Sequence, residues 1–161
     1  MKIEEKLLEM CKSKHLTIAF AESCTGGALA ARFTKTPGAS ICFAGALIAY
    51  QNRIKTTVLG VPEQLLQEFG AVSSETADAM FEKCIKLFAA DIGVSVTGNA
   101  GPGKDERSSP VGTVYITMGG VRFGIKKFSL QLAGNREEII DQTVKIIFES
   151  LMSILEKKSI I

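Results

Sequence analysis

The chain contains no tryptophan, one histidine and four scattered cysteines, and these shortages exclude several chemistries. His15 is the only imidazole and reads as a loop residue after a charged amphipathic opening, so no Ser-His-Asp arrangement is plausible. The same shortage makes a zinc site hard to assemble, and no metal is expected. Cys11, Cys24, Cys42 and Cys84 include no CxxC pair and read as reduced, small apolar residues. No run of ~18 apolar residues occurs, so neither a spanning helix nor a membrane partner is expected. Met1 to Glu9 mixes charges with Ile3, Leu7 and Leu8 and lacks the apolar core of a secretory signal, which favours a cytoplasmic location. The formal net charge is only +2, with dispersed basic residues and no stacking-aromatic cluster, so nucleic acid is a poor partner. A phosphate-bearing small molecule stays compatible, because one or two placed cations suffice to hold it.

What is present is a hydrophobic fraction of 46% in 161 residues, enough for one compact domain spanning 1–161. Ile3, Leu7, Leu8 and Met10 give residues 2–14 a helical period. Thr17 to Ala21 reads as a buried strand, followed by a tight turn over Ser23 to Gly27 and an alanine-rich helix to Phe33. Pro37-Gly38 marks a turn, and the nearly continuous apolar run Ile41 to Tyr50 predicts a central strand. Short helices are expected over 52–59 and after Pro62, and a longer one from Ser73 or Ser74 to about Ala89, with Ser73 and Thr76 as capping candidates. Ile92 to Thr97 reads as a second buried strand, and a polar loop runs from Gly98 to Ser109. Two alternating strands, 111–118 and 121–130, flank Gly119-Gly120 as a hairpin, and a final helix is expected over 135–157. The fold class is therefore α/β: a mixed sheet covered by helices.

Three polar punctuation points stand beside strand ends. Ser23-Cys24-Thr25-Gly26-Gly27 precedes a helix whose free N–H groups suit a phosphate or an oxyanion, although Ser23 or Thr25 as a simple cap explains the same residues. Thr97-Gly98-Asn99-Ala100-Gly101-Pro102-Gly103 lies beyond a strand, where α/β folds often bind ligands, or is a structural turn. It lacks the Gly-Lys-Ser/Thr ending of a P-loop and the helix of a dinucleotide fingerprint. Tyr50 and Lys55 follow the apolar run; a desolvated lysine is a base, a solvated one is not. With no histidine available, a serine nucleophile needs another base, and lysine is a known variant.

Read together, these segments resemble the CinA C-terminal family. Ala21-Glu22-Ser23-Cys24-Thr25-Gly26-Gly27 is similar to its opening signature, and Pro37-Gly38-Ala39-Ser40, Tyr50/Asn52/Lys55, Val96-Thr97-Gly98, Ala100-Gly101-Pro102 and Pro110-Val111-Gly112-Thr113-Val114 follow in family order. The resemblance covers about residues 5–155 and implies the CinA C-terminal fold. It also implies an amidohydrolase converting nicotinamide mononucleotide to nicotinic acid mononucleotide and ammonia. No cofactor is implied, and a homodimer or larger homo-oligomer is. In larger CinA proteins a molybdopterin-binding-like domain comes first, so the resemblance is to a stand-alone form.

Carried over by position, the site residues are Ser23, Ser40, Tyr50, Lys55, Thr97 and Arg136. Either serine is a candidate nucleophile. Ser40, ahead of a strand and able to reach Lys55 across the site, is preferred, with Lys55 as base and Ser23 as a binding or oxyanion group. Tyr50 would relay or orient the proton, and Arg136 would hold the 5′-phosphate. Thr25 and Gly26, with the backbone of Gly98, Asn99, Ala100 and Gly101, would line the substrate pocket. Asn99 replaces an apolar family residue, Lys104-Asp105 replace glycines, Ser109 replaces a common lysine and Gln51 a common serine. These departures bear on substrate identity, and they keep two alternatives in view: a catalytically silent nucleotide-binding or regulatory module, and an amidase for another small amide.

Overall fold

The computed structural model describes residues 1–157; residues 158–161 of the expected 1–161 unit lie outside the described residues. The helices are α1 (Ile3–Ser13), α2 (Ala28–Thr34), α3 (Asn52–Thr57), α4 (Glu63–Phe69), α5 (Ser74–Phe88) and α6 (Arg136–Glu156). The strands are β1 (Ile18–Glu22), β2 (Phe43–Ile48), β3 (Ile92–Gly98), β4 (Thr113–Gly120) and β5 (Gly124–Gln131). They form one sheet in the order β2-β1-β3-β4-β5. β1 pairs parallel with β2 and β3, whereas β4 pairs antiparallel with β3 and β5.

β1 is buried at all five positions because helices cover both faces, as expected of a parallel strand at the heart of a sheet. The two-residue period splits its side chains. Ile18 and Phe20 join a core with Leu7, Leu29, Phe33 and Phe148, from α1, α2 and α6. Ala19 and Ala21 face Leu66, Met80 and Cys84, from α4 and α5. β5 instead alternates half-buried and exposed residues along its length, the pattern of an edge strand with one wet face.

Two expectations are corrected by the topology. The apolar run 41–50 is not a central strand: β2 is shorter and occupies the sheet edge, and Ala39–Ile41 forms a 3₁₀ turn ahead of it. Phe43, Ala46 and Leu47 pack partly against the cores of the two faces while Ile41 and Ile48 stay exposed, so hydrophobicity here does not mark a central place. Gly119 and Gly120 are not the hairpin turn but the end of β4, opposite Ile125 and Gly124, and the chain reverses over Val121, Arg122 and Phe123. The glycines are needed because neighbouring backbone leaves no room for side chains. A Cβ on Gly120 would sit 2.0 Å from the Asp91 carbonyl oxygen.

β1 and β2 are joined through α2 on one side of β1, and the chain then crosses to β3 on the other. The carboxyl ends of β1, β2 and β3 therefore open onto a topological switch point, the usual ligand crevice of α/β sheets. Because the Gly120 clash is with the backbone of Asp91, whose N–H and carboxylate are tied to Thr17, Gly120→Ala should lower the unfolding free energy by about 2 kcal/mol or more. A urea midpoint equal to wild type would contradict this packing.

Candidate active site

The switch point is organised by a carboxylate. Glu22 ends β1 and is fully buried. Its side chain accepts hydrogen bonds from Thr25 Oγ1 at 2.6 Å and from the N–H groups of Gly27, Leu29 and Ala30 at 3.0, 3.2 and 2.8 Å. A buried carboxylate without donors is costly, and here four donors replace its water. The same bonds satisfy the otherwise open N–H groups at the start of α2. Gly27 makes the turn possible: its φ is 101°, and a Cβ there would lie 2.9 Å from Ile48 Cδ1.

This turn presents Ser23, which is buried and whose N–H donates to Val96 O at 3.0 Å. Lys55 reaches Ser23 from the second turn of α3. Only 1% exposed, it places Nζ 2.8 Å from Ser23 Oγ, 2.7 Å from Ala49 O and 3.1 Å from Tyr50 O. As an ammonium it donates to all three. As a neutral amine it has two N–H bonds and one lone pair. The two carbonyls can only accept, so they take both N–H bonds, and the lone pair is left for Ser23, whose hydroxyl then donates. Burial pulls the Lys55 pKa down to about 8 from its ordinary 10.5, with Cys24 opposing weakly. Cys24 itself stays a thiol, its pKa pushed up to about 12 chiefly by burial.

Around this pair lies a pocket of about 190 Å³. Ser23, Cys24 and Lys55 form one side; Ala71, Val72 and Thr97 to Ala100 form another; Tyr50 and Arg136 stand at its edge. Arg136 Nη1 donates to Gly101 O at 2.6 Å, and Nη2 to the Tyr50 hydroxyl at 2.8 Å. A wider groove of about 800 Å³ adjoins the pocket through Ala71 and Val72, which line both.

A model of the CinA C-terminal domain matches residues 1–155. The chain belongs to the CinA C-terminal domain family. A putative competence-damage inducible protein of Caldicellulosiruptor bescii is 40% identical over 158 residues, 98% of this chain but 37% of that protein. A CinA-like protein of Leptospira borgpetersenii is 48% identical over 117 residues, 73% of this chain and 28% of its own length. The chain thus spans well under half the length of these curated relatives. Among solved structures, a CinA superfamily protein of Klebsiella pneumoniae superposes with a TM-score of 0.90 at 26% identity, covering 95% of both chains. The competence/damage inducible protein CihA of Agrobacterium tumefaciens does so with a TM-score of 0.85 at 31% identity, covering 96% of both.

Within this CinA domain the residues expected from sequence separate. Ser23, Lys55, Tyr50, Thr97, Gly98, Asn99, Ala100 and Arg136 come together at the pocket. Ser40 does not. It is exposed in the 3₁₀ turn at the amino end of β2, whereas Lys55 lies beyond the carboxyl end. At a strand rise of ~3.3 Å per residue the two are about 20 Å apart along the sheet, so Ser40 cannot be the Lys55-activated nucleophile. The Tyr50 hydroxyl is corrected too: it meets Arg136, and only the Tyr50 carbonyl touches Lys55.

Thr25 is a fastener for Glu22, and the start of α2, expected to bind an anion, is filled by that carboxylate. Gly26 belongs to the same turn. Thr97 Oγ1 donates to Ala71 O at 2.7 Å and so ties β3 to the segment before α5. Gly101 N donates to Asn99 Oδ1, and Asn99 N to Thr113 O, so these two N–H groups are engaged within the protein.

Two further residues matter that sequence reasoning did not single out, Glu22 and Arg107, and Asn99 does more than line the pocket as expected. Glu22 had a readable signal, an acid closing an apolar strand, where burial demands many donors. Asn99 was noticed as a departure but acts as a staple: its Nδ2 donates to Gly103 O at 2.9 Å and Ser109 O at 3.0 Å. Arg107 carried no sequence signal. It donates to Glu68 O at 3.2 Å and to Gln67 O, docking the loop on the end of α4. Because a glutamine would point N–H groups at donors, Glu22→Gln should cost about 3 kcal/mol of stability in urea unfolding. A loss below ~1 kcal/mol would show that the carboxylate does not hold this turn.

Proposed function

We propose that this domain is a serine–lysine amidohydrolase acting on a small amide, with nicotinamide mononucleotide as substrate. The observation that carries the reading is the arrangement around Lys55 Nζ. Two carbonyl acceptors and one hydroxyl, all within 3.1 Å, leave a neutral lysine one use for its lone pair, the Ser23 proton. That is the relation a general base needs to its nucleophile. Family membership supports an enzyme of this kind, and the resemblance of the whole chain supports the pyridine nucleotide as substrate.

In this mechanism Ser23 Oγ attacks the carboxamide carbon as its proton passes to Lys55 Nζ. A C–O bond forms, and the carbonyl oxygen takes negative charge. Cys24 and Ala100 line the pocket, and backbone N–H groups from that wall would take up that charge. The tetrahedral adduct collapses, the C–N bond breaks, and the Lys55 ammonium gives its proton to the leaving nitrogen, which departs as ammonia. Water then attacks the acyl-enzyme, losing a proton to Lys55. The acid leaves as Ser23 recovers its proton. Arg136, fixed by Gly101 and Tyr50, borders the substrate rather than moving protons.

Lysine is a base only when neutral, and its neutral fraction grows as pH rises through about 8. Ammonia release from nicotinamide mononucleotide should therefore climb with pH across that region. Ser23→Ala and Lys55→Met should each lower turnover by roughly 10³-fold or more, while Ser40→Ala stays within about twofold of wild type. Full activity in Ser23→Ala, or loss in Ser40→Ala, would reject the dyad. Nucleotide binding by wild type without ammonia release would favour a silent binding module, a reading that the altered 99–109 loop keeps open.

A further inference from the structure

The pocket at Ser23 and Lys55 holds only about 190 Å³, below the ~300–1,000 Å³ usual for small-molecule sites. It suits an amide-bearing ring and leaves the remainder of a nucleotide outside. The adjoining groove of about 800 Å³ begins where the pocket ends, at Ala71 and Val72. It is lined by α3, with Arg53, by α4, and by the loop carrying Lys104 and Arg107.

The loop wall is built rather than loose. Asn99 bonds both ends of the segment, Asp105 Oδ1 accepts from the N–H groups of Arg107 and Ser109, and Arg107 is anchored on the carbonyls of α4. Arg107 also lies across Gly70, whose φ is 79° and where a Cβ would stand 2.9 Å from the Arg107 Cγ. Asp105 and Arg107 are thus engaged by the loop itself. Arg53 and Lys104 are exposed and form no ion pair among the described residues. Glu63 and Glu106 line the same groove, so attraction there is local to the two cations and not a broad positive field.

We infer that this groove is the subsite for a phosphate ester on the substrate, gripped between Arg53 and Lys104, and that Arg136 serves the pocket mouth instead. The inference rests on the amidohydrolase reading for its choice of substrate. Arg136 already gives Nη1 and Nη2 to Gly101 and Tyr50, whereas both groove cations are open to a ligand. Lys104 stands in the stretch that departs from the family pattern, so the phosphate grip is in part a property of this chain.

Equilibrium binding of the two product-like acids, nicotinic acid mononucleotide and its riboside without phosphate, tests this on the full chain without turnover. Wild type should prefer the phosphorylated acid by about tenfold or more, and Arg53→Ala/Lys104→Ala should bind both alike, near the wild-type riboside affinity. A wild type without preference, a double variant that keeps it, or loss only in Arg136→Ala would each overturn the inference. Turnover of nicotinamide mononucleotide, measured in parallel, judges the amidohydrolase reading separately. Turnover with the preference kept in the double variant sinks the groove alone. Preference lost in the double variant without turnover of nicotinamide mononucleotide by wild type sinks the reaction and supports the groove.

Discussion

The Glu22 carboxylate is the constraint from which the site follows. It is a buried charge at the end of the central parallel strand, and four donors from one short stretch of chain converge on it. That convergence fixes the turn over residues 23–27, aims α2 across the sheet and leaves Ser23 facing the crevice. The Glu22 backbone also holds the next strand's exit, because its carbonyl accepts from Ala49 N at 2.8 Å. The carbonyls of Ala49 and Tyr50 are in turn the ones that receive Lys55. One residue thus positions Ser23 by its side chain and the surroundings of Lys55 by its main chain.

Two buried ionisable groups meet this turn, Glu22 from the strand before it and Lys55 across space at Ser23, and they are given different partners. Glu22 is surrounded by four hydrogen-bond donors. Lys55 is given two carbonyls and a hydroxyl but no carboxylate partner among the described residues, so burial prevails and its charged form is disfavoured. A salt bridge to Lys55 would have restored the ammonium and removed its basicity. Placing the carboxylate so that it binds α2 rather than the lysine keeps structural and chemical roles apart.

Most of the fold was legible because its elements obey strong local rules. β1 and β3 are short apolar runs ended by polar turns, α5 carries a serine cap that accepts from Thr76 N, and α6 opens with a capping box at Asn135. Less legible was anything decided by neighbours in space. The run 41–50 looks central by hydrophobicity, but its place at the sheet edge comes from the crossover to β3. Gly119 and Gly120 look like a turn, but Gly120 is glycine because the Asp91 backbone passes close to it. At the site, Lys55, Arg136 and Ser23 were readable as residue types in a pattern. The choice of Ser40 failed because sequence order does not tell which end of a strand faces the crevice. Asn99 acts through carbonyls of its own loop and Arg107 through carbonyls of α4, and main-chain partners leave no mark in the sequence.

The proposed chemistry requires Lys55 to be a neutral amine at moderately alkaline pH, held there by burial with its lone pair toward Ser23. The most direct test is a titration of Lys55 by NMR of its side-chain carbon or nitrogen, assigned with Lys55→Met. The expected midpoint is near 8, with the signal perturbed in Ser23→Ala. A midpoint at the ordinary lysine value of about 10.4 would contradict it, because a lysine charged throughout that range cannot accept the serine proton.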